Sequence, residues 1–145
     1  MGFYHNYNII IVTALCIVSA QLLKVINYVL SHRKINFVRF VETGGMPSSH
    51  SASSAALTTL IWLREGATST VFALALFLTT FIMYEAAGVR RAAGRQAKLL
   101  NELVDDLYKH RPIKEQKLKE LLGHTPFEVF MGALYGVVFA IAFYK

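Results

Sequence analysis

His124 and Glu128 stand four residues apart in Gly123-His124-Thr125-Pro126-Phe127-Glu128, where a charged stretch gives way to an apolar run. If the helix begins early enough, that spacing puts both side chains on one face. A carboxylate accepting from one imidazole nitrogen fixes the tautomer and leaves the other nitrogen as a nucleophile or base. Gly123 gives the backbone room beside the histidine. The same residues fit a capping box from Thr125 to Glu128, with Pro126 at the first helical position. Glu128 therefore has a structural reading beside the chemical one.

A second cluster is Gly44-Gly45-Met46-Pro47-Ser48-Ser49-His50-Ser51, where a loop turns into a helix. Gly44 and Gly45 let backbone N–H groups approach an anion closely. Ser48 or Ser49 can cap the helix, and its N-terminus favours negative charge. His50 then stands in the first turn, facing anything bound there; a capped helix with an incidental interfacial histidine accounts for the spacing equally. A third cluster is Gly88-Val89-Arg90-Arg91-Ala92-Ala93-Gly94-Arg95. Arg91, Arg95 and Lys98 fall at i, i+4 and i+7, a single helix stripe. Guanidinium forks suit phosphate oxygens, whether of a substrate or of lipid headgroups.

Lys24 shares a face with Gln21 and Asn27 inside an apolar run. A charge there is costly and marks a functional site by default, unless the chain snorkels to the interface. Glu85, at the inner end of another apolar run, reads as a salt-bridge partner for the arginines, structural rather than catalytic. His5, His32 and His110 lack partners at metal-ligand spacing, so no metal site is assigned. Cys16 reads as a small buried or lipid-facing hydrophobe. Phosphate-binding and dinucleotide loops, zinc-protease pairs and nucleophile elbows are missing from the sequence.

The elements that position these residues are helices. Four apolar segments cover residues 7–30, 49–63, 68–88 and 125–144. The first is long enough for a hydrocarbon core ~30 Å thick. The second is rich in Ser and Ala and short for a full span, as suits a helix starting at a site sunk below the membrane surface. In the charged 89–122 segment, Leu100, Leu103, Val104 and Leu107 recur at i, i+3, i+4 and i+7, the pattern of an interfacial amphipathic helix. The expected fold is an all-α membrane bundle of about four membrane helices plus that interfacial helix, one domain over 1–145. Gly132-x-x-x-Gly136 allows close helix approach, against the Ser/Ala face of the second helix or against another protomer.

Composition agrees. The 145 residues are 54% hydrophobic and 17% charged, with a mean hydropathy of +0.42. Disordered chains, collagens and disulfide scaffolds are excluded. The net charge of +6 is explained by placement: with four crossings, twelve of the fifteen Lys and Arg residues fall in the 31–48 and 89–124 connections, on one side. The positive-inside rule puts that side in the cytoplasm and both termini outside. Nucleic acid is then unnecessary as a partner; the bilayer is the expected one.

Pro47-Ser48-Ser49-His50 resembles the second signature of the type-2 phosphatidic acid phosphatase superfamily, with Ser49 in place of the usual Gly. His124-x-x-x-Glu128-Val129-x-x-Gly132-x-x-x-Gly136 resembles its third signature, with Glu128 for Asp. Lys24 stands for the lysine of the first signature, but Ser31-His32 follows where Arg-Pro is usual. Lys117-Leu118 occupies the place of the third signature's Ser-Arg. The chain from about Gln21 to Gly136 is more similar to the divergent branch of that superfamily, small bacterial and plastid membrane proteins labelled as related to acid phosphatases and vanadium haloperoxidases. Tyr84-Glu85-Ala86-Ala87-Gly88-Val89-Arg90-Arg91 and Leu122-Gly123-His124-Thr125-Pro126-Phe127-Glu128 carry that likeness, with Glu85 where Asp is usual.

The resemblance implies His124 as the nucleophile of a phosphohistidine, Glu128 orienting it, and His50 protonating the leaving oxygen. It implies Lys24, Arg90, Arg91 and Arg95 on the phosphoryl oxygens, helped by Ser48, Ser49 and the Gly44-Gly45 backbone. Superfamily chemistry uses no metal cofactor and is inhibited by vanadate. The implied function is a lipid phosphate phosphatase in a bacterial inner membrane, acting at the cytoplasmic face on phosphatidylglycerophosphate or a similar lipid. The competing readings are a non-catalytic lipid-phosphate-binding or scaffold protein and an isoprenyl diphosphate phosphatase.

Overall fold

The computed structural model describes residues 2–33, 45–107 and 124–144, without the side chains of residues 2–7, 32, 89–92, 95, 106 and 107. Five helices follow in order: α1 (Gly2–His32), α2 (Ser49–Glu65), α3 (Thr70–Ala87), α4 (Val89–Leu107) and α5 (Pro126–Phe143). Among the described residues, α1 over Asn8–Ser31, α3 and α5 are long and apolar enough to cross a membrane. The four apolar segments of the sequence are α1, α2, α3 and α5.

α2 has 17 residues, about 25 Å at 1.5 Å per residue, and it is the enclosed helix. α1, α3 and α5 all pack on it. Nine of its residues are buried, against three of α3 and four of α5. That enclosure explains its composition. Helices in lipid associate through close packing and interhelical hydrogen bonds, both of which small and hydroxylated residues supply.

Each contact of α2 uses such residues. Against α3, the Thr58 and Thr79 hydroxyls pair at 2.8 Å, and Thr79 Oγ1 reaches the Ser54 carbonyl oxygen at 3.0 Å. Against α1, Ala52, Ala56 and Leu60 form a core with Val12, Cys16 and Ala20. Against α5, the backbones themselves meet. A Cβ on Gly132 would lie 2.5 Å from the Ser48 carbonyl oxygen, and one on Gly136 would overlap the Ala52 carbonyl oxygen. The Gly-x-x-x-Gly pair therefore serves the Ser/Ala face of α2 within this chain. α5 also ties to α1, where the Tyr135 hydroxyl donates to Ser19 Oγ at 2.8 Å.

α4 leaves α3 through Gly88 and packs on it. Gly94, Ala97 and Asn101 form its buried stripe. Leu99, Leu100, Leu103 and Val104 remain exposed, so the amphipathic face expected from the leucine spacing is present and turned outward. The basic connections 34–44 and 108–123 lie outside the described residues.

Candidate active site

The start of α2, the start of α5, the end of α3 and the C-terminal third of α1 meet at one end of the bundle. Three hydrogen bonds join them. Ser48 N–H donates to the Glu128 carbonyl oxygen at 3.2 Å, and His124 N–H to the Ala86 carbonyl oxygen at 3.1 Å. Lys24 Nζ donates to Ser49 Oγ at 3.3 Å.

The first wall is the α2 N-terminus. Ser48 is its N-cap, accepting from Ser51 N–H at 3.4 Å and from the Ser51 hydroxyl at 3.0 Å. Ser49 is buried beside it. The approach is held from α1, where Asn27 Nδ2 donates to the Met46 carbonyl oxygen at 3.1 Å. Gly45 has φ +93°, a left-handed conformation that glycine adopts without a Cβ penalty. The second wall is Lys24 itself, 4% exposed. A buried ammonium needs polar partners, and Ser49 supplies one.

The third wall is the start of α5. His124 is 1% exposed. Its Nδ1 lies 3.5 Å from Glu128 Oε2, within ion-pair reach and beyond a good hydrogen bond. Glu128 Oε2 also accepts Thr125 N–H at 2.8 Å, while Glu128 N–H donates to Thr125 Oγ1 at 3.2 Å. The carboxylate thus closes the capping box and lies beside the imidazole; the cap reading of Glu128 holds, and the contact with His124 is a proximity without a hydrogen bond. Neither ring nitrogen of His124 has a hydrogen-bond partner among the described residues. Burial holds this imidazole below the ordinary histidine value. The Lys24 charge pushes the same way, the Glu128 carboxylate opposes, and His50 lowers it further. At neutral pH His124 is therefore unprotonated, its lone pair available.

His50 is exposed in the first turn of α2. It lines a groove of about 200 Å³ with Phe81, Ile82, Glu85 and Ala86 of α3. His50 and His124 are near enough for their charges to interact.

The structure thus brings together Lys24, Ser48, Ser49, His50, His124 and Glu128, with Gly45 at the approach. Gly44 lies outside the described residues. Arg90, Arg91 and Arg95 lie on α4, their side chains outside the description. One participant escaped the sequence reading, and a second has a neighbour that reading did not give it. The Ala86 carbonyl anchors His124, a backbone role that no side-chain pattern signals. Glu85 faces the His50 groove; its position at the inner end of an apolar run was the available signal.

The Divergent PAP2 family matches residues 5–139. The chain is similar to the uncharacterized membrane protein YuiD of Bacillus subtilis (strain 168), 42% identical over 137 residues and covering 86% of each chain. No solved structure matches. With nearly the whole sequence matched, the chain belongs to the Divergent PAP2 family.

Proposed function

We propose that the protein is a membrane lipid phosphate phosphatase working through a phosphohistidine. The observation that supports this most is His124, buried at 1% exposure with both ring nitrogens unpartnered among the described residues. Buried polar groups serving structure alone are hydrogen-bonded. This one is held neutral between a cation, a carboxylate and a second histidine, as a nucleophile requires.

In the proposed reaction, Glu128 keeps the His124 proton on Nδ1, and the Nε2 lone pair attacks phosphorus. The bond from phosphorus to the ester oxygen breaks, and that oxygen takes a proton from His50. Water then attacks the phosphohistidine, giving its proton to His50. Inorganic phosphate leaves and His124 is restored. Lys24, Ser49 and the α2 N-terminus stabilise the phosphoryl oxygens, with Ser48 shaping that terminus as its cap. Arg90, Arg91, Arg95 and the Gly44-Gly45 backbone supply the remaining charge. Phosphoryl transfer depends on such positioning and charge stabilisation. Retention of both imidazoles favours catalysis over simple phosphate binding, which needs cations alone.

The basic connections support a site on the cytoplasmic face, with both termini outside, by the positive-inside rule. A phospholipid phosphate formed on that face, such as phosphatidylglycerophosphate, then fits better than an isoprenyl diphosphate recycled outside. The test is phosphate release by the purified protein from a panel of lipid phosphates, beside His124→Ala. Release that survives EDTA, stops with orthovanadate and is lost in His124→Ala supports the reading. Full activity in His124→Ala rejects it and leaves the lipid-binding alternative.

A further inference from the structure

The groove beside His50 has a chemical character that the phosphoryl site does not share. It runs between α2 and α3, and its walls are Phe81, Ile82, Ala86, His50 and Glu85. Phe81 is 55% and Ile82 38% exposed. Both lie in α3, one of the helices able to cross the membrane, so the groove opens toward lipid. The end of α3 is fixed to the site, because His124 N–H donates to the Ala86 carbonyl oxygen at 3.1 Å. Glu85, the preceding residue, is thereby held beside the chemistry.

Resting on the phosphatase reading of His50 and His124, the groove's contents follow. His50 gives its proton to the departing oxygen, so whatever departs occupies the space His50 faces. A phosphate monoester releases an alcohol, uncharged at the departing oxygen, with an apolar chain for Phe81, Ile82 and Ala86; in phosphatidylglycerophosphate the remaining phosphodiester lies a glycerol unit further on, beyond the groove's carboxylate. Any further hydroxyl on the alcohol finds an acceptor in Glu85, whose carboxylate accepts hydrogen bonds. A lipid diphosphate attacked at its terminal phosphorus releases a lipid monophosphate instead. That group carries negative charge into a groove containing a carboxylate, at a membrane boundary where the dielectric is low and screening weak. Like-charge contact of this kind is how a site rejects a competitor.

We infer that the groove between α2 and α3 holds the leaving group of a lipid phosphate monoester, and that Glu85 selects against lipid diphosphates. Glu85 is thus a specificity residue of the leaving-group side, distinct from the cations that grip the transferred phosphoryl group.

Binding of non-hydrolysable analogues by the full chain in detergent tests this. The probes are a long-chain alkyl phosphonate and the methylenebisphosphonate of the same chain, titrated calorimetrically. Glu85→Gln is expected to tighten bisphosphonate binding about tenfold, the order expected for removing a like charge at intermediate dielectric, and to change phosphonate binding by less than about twofold. Glu85→Ser, a second neutral replacement, is expected to do the same, and Glu85→Asp to bind as the wild type does. Glu65→Gln is the control; Glu65 sits at the far end of α2, paired with Arg64 at 3.2 Å. Equal effects of the neutral replacements on both probes, or no effect on either, overturn the inference. Binding requires no turnover, so a parallel failure to release phosphate from any lipid counts against the phosphatase reading alone.

Discussion

At the scale of single residues, the two histidines are set apart by their surroundings. His124 is enclosed and held neutral by burial and by Lys24. His50 stands exposed in a groove lined by Phe81, Ile82, Glu85 and Ala86. Those environments assign different tasks, and the tasks separate by leaving group. His50→Ala keeps the nucleophile and the cations but removes the proton donor. General acid catalysis is typically worth ~10²–10⁴-fold, so the loss on a lipid phosphate should be of that size. On p-nitrophenyl phosphate, whose leaving group needs the proton less, the loss should be much smaller. Equal losses of phosphate-release rate on both substrates would reject the separation of roles. Much of this scale was legible in the sequence, because helix starts are written locally. The Ser48 cap and the Thr125–Glu128 box are short-range patterns, and each fixes where a neighbouring histidine stands. The Glu128 geometry was half legible: the spacing allowed either a cap or a histidine partner, and the carboxylate closes the cap while standing 3.5 Å from the imidazole. The place of Glu85 in the His50 groove was not legible, because that groove is a tertiary event between α2 and α3.

At the scale of elements, α2 is the part on which the others are built. Its small and hydroxylated residues let three helices approach and leave its N-terminus open at the site. Gly132 is where this support is most exposed to mutation. A methyl group there would lie 2.5 Å from the Ser48 carbonyl oxygen, and Ser48 is the N-cap of α2 at the candidate site. Overpacking of this kind costs ~1–3 kcal/mol. Gly132→Ala should therefore lower the unfolding temperature in detergent and reduce turnover together, as α2 is pushed away from α5. Unchanged stability and turnover would show that the two helices are not in backbone contact. The sequence displayed the glycine pair but offered two partners for it, since close-packing signals are the same within a chain and between protomers. The shortness of α2 and its Ser/Ala content were readable; its enclosure by α1, α3 and α5 was not, because periodicity describes a helix face and not what covers it.

At the scale of the molecule, the candidate site lies at one end of the helical bundle, and the connections leading into α2 and α5 are rich in Lys and Arg in the sequence. The charge asymmetry predicts that this end faces the cytoplasm. Single cysteines in a Cys16→Ser background, placed at Ser31 and Lys114, should resist a membrane-impermeant maleimide on intact cells and react after permeabilisation. Labelling at either position on intact cells would reverse the orientation and remove the preference for a lipid made inside. The apolar spans were legible because hydropathy is a sum over many residues. The convergence of Lys24 with Ser49 and of His124 with Ala86 was not, because those partners lie far apart in sequence. The central claim is that His124 carries the phosphoryl group, and acid-labile phosphoenzyme measures it most directly. Purified protein is mixed with a ³²P-labelled lipid phosphate, quenched within the first turnover, and assayed for label on the chain. Label that is stable to alkali, lost in acid, present in His50→Ala and absent from His124→Ala is the predicted result. Turnover with equal label in His124→Ala, or label stable to acid, would contradict it.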